Sequence, residues 1–341
     1  MWYFRSPLIA FGEDALSHLE QLTYQRVFIV TDAMMARLGF VQQVKNRMSA
    51  GGAQFEVFSA VEPDPCAGTV RQCAAQMEQF APDVVIGLGG GSALDAAKAA
   101  WFLYERPEYD LAAVTPFEQY GLRAKARFIL IPTTAGSGAE VTGAAIILDD
   151  QAGRKMEVAT YEMIPDLTVV DPKFSSSMPP QLTADTGIDV LTHAIEGYTS
   201  TFANDFSDAL CLHAVRLVFT YLPRAYHNGA ADAEARQKMA NAATISALGM
   251  GNSHIALAHA LGHSLGAVFG LPHGRVTGIA LPYSIEFTAN AVGGRYADLA
   301  RLLGLPAHDY TEAARSLARA VRELMRQIRQ PVSLAQAGLS P

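Results

Sequence analysis

The chain has 341 residues, half of them hydrophobic and 17% charged, with a net charge of −7. That length exceeds one comfortable core and points to two globular domains without a disordered tract. An acidic chain gives no reason to expect nucleic acid or an anionic membrane as partner, and no window approaches the ~18 uninterrupted apolar residues of a membrane span. Met1-Trp-Tyr-Phe-Arg-Ser-Pro7 lacks the basic head and apolar run of a signal peptide. Cys66, Cys73 and Cys211 are odd in number, have no zinc-site spacing and fit buried thiols in a reducing compartment. The expectation is a soluble, cytoplasmic protein.

Arg26-Val-Phe-Ile-Val-Thr-Asp32 is a short apolar run with a polar end, as a buried parallel strand requires. A helix with Met34, Leu38 and Val41 follows, then a strand over 54–58 and a helix over 66–80. A second buried strand spans 83–89 and leads through a glycine turn into a helix over 92–104. Residues 127–132, 144–148 and 167–171 read as further strands, and the alternation implies a doubly wound parallel sheet. Ser175-Ser-Ser-Met-Pro-Pro180 then punctuates the chain. Beyond it only helical patterns appear, over 181–198, 205–221, 232–248, 254–268, 276–289 and 311–328. Pro223 and Gly229 are expected to separate two of these helices, and Pro282 to kink another. The expected architecture is an α/β domain over 1–180 and an all-α domain over 181–341.

Gly89-Gly-Gly-Ser92 follows a strand and opens a helix, where bare backbone N–H groups accept a phosphate. It is not the G-x-G-x-x-G fingerprint, and the alternative is a plain tight turn. Pro132-Thr-Thr-Ala-Gly-Ser137 also follows a strand, where such sheets bind ligands, although a polar loop with capping hydroxyls has the same composition. Asp32 ends the first strand and is placed either to accept from a ribose hydroxyl or to cap a helix.

In the second half, Asp189 and His193 stand four residues apart on a helix, hence on one face. His259 and His263 repeat that spacing, and His273 follows Pro272. Asp189, His193, His259 and His273 offer one carboxylate and three imidazoles without a thiolate, a set that suits Fe(II), Zn(II) or Mn(II). His254 and His263 stay open between supporting and proton-relay roles; His18, His213, His227 and His308 have no companions at ligand spacing and read as structural.

The strings Gly89-Gly-Gly-Ser-Ala-Leu-Asp-Ala-Ala-Lys98, Ile131-Pro-Thr-Thr-Ala-Gly-Ser-Gly-Ala-Glu-Val-Thr142 and Gly187-Ile-Asp-Val-Leu-Thr-His-Ala-Ile-Glu196 resemble those of the iron-containing (group III) alcohol dehydrogenases. His259-Ala-Leu-Gly-His263 and Pro272-His-Gly274 resemble that family's second metal segment, and the likeness begins at Pro7 and covers nearly the whole chain. The resemblance implies a dehydroquinate synthase-like architecture with the active site between a nucleotide-binding domain and a helical one. It makes Asp189, His193, His259 and His273 the ligands of a divalent metal, Fe(II) with Zn(II) as alternative, and sets His263 beside it near the nicotinamide. It assigns Gly89, Gly90, Gly91 and Ser92 to the pyrophosphate, and Thr133, Thr134 and Ser137 to the nicotinamide side. Asp32 would favour NAD over NADP, Lys155 would approach the ribose, and Asp64 would stand beside the adenosine where many relatives have Asn. Phe174, Phe206 and Phe269 would wall a partly apolar substrate site, and Phe174 is also counted among the cofactor-binding residues.

The implied reaction is hydride transfer between a small primary alcohol or diol, or its aldehyde, and the nicotinamide, by a protein that forms a homodimer or larger assembly. Maleylacetate reductases typically lack an Asp where Asp189 stands; glycerol dehydrogenases and dehydroquinate synthases differ around the metal; a nucleotide-binding protein without catalysis is the remaining alternative. Family members usually continue for a few dozen residues past the segment matching Pro331-Val-Ser-Leu334, so a difference in bundle stability or in the far wall of the site is expected.

Overall fold

The computed structural model describes residues 3–49, 52–150 and 153–339. They fall into two units, one of residues 5–134 and 138–175, the other of 135–137 and 176 onward with Tyr3 and Phe4.

In chain order the α/β unit contains β1 (Leu8–Phe11), β2 (Arg26–Val30), α1 (Ala33–Arg37), α2 (Phe40–Met48), β3 (Gln54–Phe58), α3 (Ala67–Phe80), β4 (Val84–Gly89), α4 (Gly91–Glu105), β5 (Arg127–Pro132), β6 (Ala144–Asp149), β7 (Arg154–Ala159) and β8 (Leu167–Val170). Six strands form one sheet in the order β1-β8-β5-β4-β2-β3, with every pair parallel. The central strands are buried on both faces, which is why Val84-Val-Ile-Gly-Leu-Gly89 is apolar throughout. Successive residues of β2 feed opposite cores: Phe28 and Val30 pack with Met77, Leu94 and Trp101, while Val27 and Ile29 pack with Leu16, Val44 and Phe174.

Strand order reverses between β2 and β4, since β3 lies outside β2 and the chain returns to β2's other side for β4. Open parallel sheets bind ligands at the carboxyl ends beside such a reversal. Asp32 and Gly89 stand at those two ends.

Three sequence expectations change here. Residues 144–148 do not join the parallel sheet; β6 pairs antiparallel with β7, which the sequence pattern did not reveal, in a separate two-stranded ribbon. Its burial alternates, as in a half-exposed ribbon, and Ala144-Ala-Ile-Ile-Leu148 mimics a continuous run because apolar Ile146 and Leu148 occupy half-open positions. The strand β1 also went unread. Phe174 is 1% exposed and packs edge-on against Phe40 with ring centroids 4.8 Å apart, so it is a core residue with no face for a ligand.

The helical unit contains α5 (Pro180–Thr199), α6 (Asp205–Asn228), α7 (Ala233–Gly251), α8 (Leu257–Phe269), α9 (His273–Phe287), α10 (Ala289–Leu302) and α11 (Tyr310–Gln327). The helix α5 is central and packs on α6, α7 and α9; its Ile188, Leu191 and Ile195 share one core with Val215, Leu222, Met239 and Ile285. Gly187 has no room for a side chain against Leu222. Pro223 does not end α6, which runs through it to Asn228, because packing on both neighbouring helices offsets the lost hydrogen bond. Pro282 likewise lies inside α9. The sequence pattern missed α10, whose Gly293-Gly294 pair disguises a helix; a Cβ on Gly293 would meet Tyr310 Cβ at 2.6 Å. Among the described residues, no helix is long and apolar enough to cross a membrane.

Candidate active site

In the helical unit, α5 presents Asp189 and His193 one turn apart, and α8 presents His259. One ligand atom from each lies within 4.8 Å of the other two, and all three residues are buried. His193 Nε2 is 4.0 Å and His259 Nε2 3.7 Å from the Asp189 carboxylate. These separations are too long for hydrogen bonds. They suit atoms that share one ion, since ligands about 2.1 Å from a metal sit roughly 3–4 Å from each other. The His193 and His259 rings stack with centroids 4.6 Å apart. His259 Nε2 and His193 Nδ1 are buried with no hydrogen-bond partner. An orphaned buried nitrogen costs about 1–3 kcal/mol, so the donor set fits an electron-pair acceptor that binds among these groups.

His273, the first residue of α9, brings Nε2 to 3.7 Å from Asp189 Oδ1 but lies outside the mutually close trio, with a half-exposed side chain. His263 follows one turn after His259, its ring centroid 6.2 Å from that of His259 and 5.0 Å from that of His273. Arg275 fixes the start of α9 on α5 by a bidentate pair with Asp185 at 2.9 and 3.0 Å.

Burial opposes charge at both His193 and Asp189. It pushes the His193 imidazole down to about 4, past the pull of Asp189, so this ring is neutral at pH 7. Burial works against the Asp189 carboxylate too, but the surrounding imidazoles and the Thr277 hydroxyl overcome it and hold its pKa at about 2. A carboxylate with a neutral imidazole is the protonation state that a metal requires of its ligands.

The candidate nucleotide residues gather in the α/β unit. Gly90 precedes α4 and leaves its first N–H groups uncapped by any side chain. A Cβ on Gly89 would lie 2.6 Å from Ala93 Cβ and 3.5 Å from Asp32 Oδ2, and one on Gly90 would lie 3.3 Å from Thr134. The turn is therefore bare backbone at the sheet's reversal point, with Gly91 and Ser92 entering the helix. Thr133 N–H donates to Gly89 O at 2.9 Å, while its buried hydroxyl has no partner. Asp32 caps α1 through one oxygen, accepting from Met34 and Met35 N–H, and its other oxygen faces Gly89. Asp64, in the left-handed region at φ 53°, accepts from Lys155 at 2.5 Å, and its N–H lies 3.4 Å from Ser92 Oγ.

Two further residues of the glycine string have structural work. Asp95 accepts from Ile146 N–H, and Lys98 donates to Ala144 O and Thr142, so α4 anchors the β6–β7 ribbon that carries Lys155. Burial raises the Asp95 pKa and lowers that of Lys98, and each restrains the other's shift. A cavity of about 760 Å³ lies elsewhere in this unit, between α3, the end of α4 and the ribbon, and includes none of the candidate cofactor residues.

Ser137 belongs to the helical unit, in a short segment where Gly136 abuts Thr186 of α5. Phe206 is 69% exposed against Phe4, and Phe269 ends α8 about 15 Å along the axis from His259. Sequence reasoning missed Glu196, which contacts His259, and Thr277, which donates to Asp189. Spacing could have found both: Glu196 is seven residues after Asp189 and Thr277 four after His273, each on the face of a candidate ligand.

Residues 6–172 match the family described as "Iron-containing alcohol dehydrogenase", and residues 183–341 match its C-terminal part. The "Aldehyde-alcohol dehydrogenase 2" of Entamoeba histolytica is 38% identical over 99% of this chain, which spans only 42% of that longer protein. An "NADPH-dependent butanol dehydrogenase" of Clostridium saccharobutylicum is 37% identical over 97% of this chain and 85% of its own length. The solved sulfoacetaldehyde reductase of Bifidobacterium kashiwanohense, in complex with NAD+, superposes with a TM-score of 0.89 at 29% identity, over 100% of this chain and 89% of that one. The family matches cover both the glycine turn of the α/β unit and the Asp189–His193–His259 trio of the helical one, and the chain belongs to the iron-containing alcohol dehydrogenase family.

Proposed function

We propose that this protein is a metal-dependent, NAD-linked dehydrogenase that interconverts a small primary alcohol or diol and its aldehyde. The carrying observation is the buried trio of Asp189, His193 and His259, in which His259 Nε2 faces the Asp189 carboxylate without a hydrogen-bond partner. Asp189, His193 and His259 would hold the metal, with His273 completing the set from the N-terminus of α9. Fe(II) accords with the family, and Zn(II) suits the same donors. When bound, the metal supplies Lewis-acid polarisation of a substrate oxygen, and the nicotinamide supplies or accepts the hydride.

The chain's own residues do the rest. Asp189 would contribute the one negative charge among the imidazoles, so that a centre holding a divalent ion would carry about +1 and favour negative charge on a substrate oxygen. His263 stands within reach of that centre's rim and would receive or return the alcohol proton. In the α/β unit, Gly89, Gly90, Gly91 and Ser92 would receive the pyrophosphate on bare N–H groups. Thr133, Thr134 and Ser137 would meet the nicotinamide half, and Asp64 and Lys155 the adenosine side.

NAD rather than NADP is favoured because Asp32 leaves an unpaired carboxylate oxygen over Gly89, where a 2′-phosphate would be repelled. One relative is named for NADPH and another holds NAD+, so preference has to be read from the residues. The test is turnover of 1-propanol, 1-butanol and 1,3-propanediol with NAD and with NADP, after anaerobic reconstitution with Fe(II). Metal-dependent oxidation with a preference for NAD is expected. Strong NAD binding with stoichiometric metal but no turnover of any alcohol or aldehyde would overturn the reading.

A further inference from the structure

The helix α8 begins without a cap of its own. Ala256 occupies the capping position and has no side-chain oxygen. The first N–H groups of a helix have no intrahelical partners and must find others. Here the partner comes from another helix. Glu196 of α5 accepts from Ala256 N–H at 3.0 Å, from Ala258 N–H at 2.5 Å and from His259 N–H at 3.4 Å. The same carboxylate lies 2.6 Å from His259 Nδ1.

Glu196 is 4% exposed. Its partners here are all N–H groups at the positive end of a helix, where a buried carboxylate is favoured. A carboxylate only accepts, so His259 Nδ1 must carry the proton that lies between them. The ring is left with its lone pair on Nε2, the atom that belongs to the trio with Asp189 and lacks any other partner. Asp189, His193 and Glu196 follow at i, i+4 and i+7, so one face of α5 supplies two candidate ligands and the group that orients the third.

We propose that Glu196 is the positioning residue of the metal centre: it caps α8 and fixes the His259 tautomer through one carboxylate, which makes metal binding and the order of α8's first turn interdependent. A metal on Nε2 strengthens the Nδ1–H as a donor, tightens its bond to Glu196 and so holds the N–H groups that share that carboxylate. A cavity of about 100 Å³ borders Glu196, Ala256 and Leu257, room for a few waters to reach the first turn once the carboxylate's hold is lost. The inference rests on the metal reading of Asp189, His193 and His259.

The experiment uses Zn(II) as the probe on the full chain, wild type beside Glu196→Gln. The amide introduced by that substitution can accept through one oxygen only and turns an NH2 group toward an N–H. Three readouts are taken: Zn(II) affinity by chelator competition, amide exchange over residues 256–262 with and without Zn(II), and the 15N signature of His259 in the metal-free wild type. The expected results are an Nδ1–H tautomer in the wild type, a 10- to 100-fold weaker Zn(II) affinity in the variant, and Zn(II)-induced amide protection in the wild type alone. A variant that melts earlier yet binds Zn(II) as tightly and gains the same protection would reduce Glu196 to a structural cap and overturn the proposal. An Nε2–H tautomer in the metal-free wild type would overturn it without any variant. A wild type that binds no Zn(II) would sink the metal reading itself, and this inference with it.

Discussion

The Thr277 hydroxyl donates to Asp189 Oδ1 at 2.9 Å, so α9 supplies a hydrogen bond to the carboxylate that α5 projects. Its methyl group meanwhile abuts Gly262 of α8, where a Cβ would come within 2.5 Å. Thr277→Val keeps that packing and removes the donor. It should raise the Asp189 pKa above about 2 and cost about 1–3 kcal/mol in urea denaturation of the metal-free protein. Thr277→Ser should keep most of the hydrogen bond. Equal stability of the Val variant and the wild type would show that the bond contributes nothing.

Lys98 and Asp95 make a second prediction, away from the metal. Lys98→Met leaves the mostly buried Asp95 without its cation and frees the Ala144 carbonyl, and should destabilise the fold by roughly 2–4 kcal/mol. Amide exchange over residues 144–159 should accelerate, because α4 no longer holds the ribbon. Adding Asp95→Asn should recover part of the loss. Unchanged exchange in the ribbon would refute the anchoring role.

Two glycines separate packing from binding. A Cβ on Gly87 would lie 2.5 Å from Leu130 and 2.8 Å from Ala97, both fully enclosed, so Gly87→Ala should cost about 1–3 kcal/mol. A Cβ on Gly90 meets only Thr134, at 3.3 Å, so Gly90→Ala should fold almost normally. It should nevertheless weaken NAD binding at least about 10-fold by calorimetry, since the Cβ intrudes on the bare N–H turn. Full NAD affinity in Gly90→Ala would remove this turn from the site.

The cysteines give a pH prediction. Burial pushes the Cys211 thiol up to about 12, and raises Cys73 as well. The folded state thus favours the protonated thiols, while the unfolded chain loses those protons near pH 9. Their contribution is complete below pH 9 and falls as pH rises toward 12, at ~1.4 kcal/mol per unit for each thiol. Cys211→Ala should flatten that alkaline slope in pH-dependent denaturation. Iodoacetamide at pH 8 should modify Cys66 in the native protein and reach Cys73 and Cys211 only on unfolding; early labelling of Cys211 would contradict its burial.

Much of this arrangement was legible in the sequence because local chemistry dictated it. Fully buried strands such as β4 need uninterrupted apolar runs, and one-turn spacing on α5 puts the Asp189 carboxylate and the His193 imidazole on one face. What stayed hidden depended on tertiary partners. The ribbon of β6 and β7 reads as sheet until its pairing is known, and Pro223 reads as a break until the helices beside α6 are in place. Phe174 is expected to face a ligand, yet its packing against Phe40 makes it a core residue. Glu196 gives no local sign that it caps a helix sixty residues further on.

The measurement that bears most directly on the central claim is NADH formation from a small primary alcohol. Metal-stripped protein, protein reloaded anaerobically with Fe(II), and an Asp189→Ala variant carried through the same reloading would be compared. Turnover is expected in the reloaded wild type, none in the stripped protein, and neither bound metal nor turnover in Asp189→Ala. Equal turnover in all three would contradict the central claim, because the chemistry would then owe nothing to the buried trio of Asp189, His193 and His259.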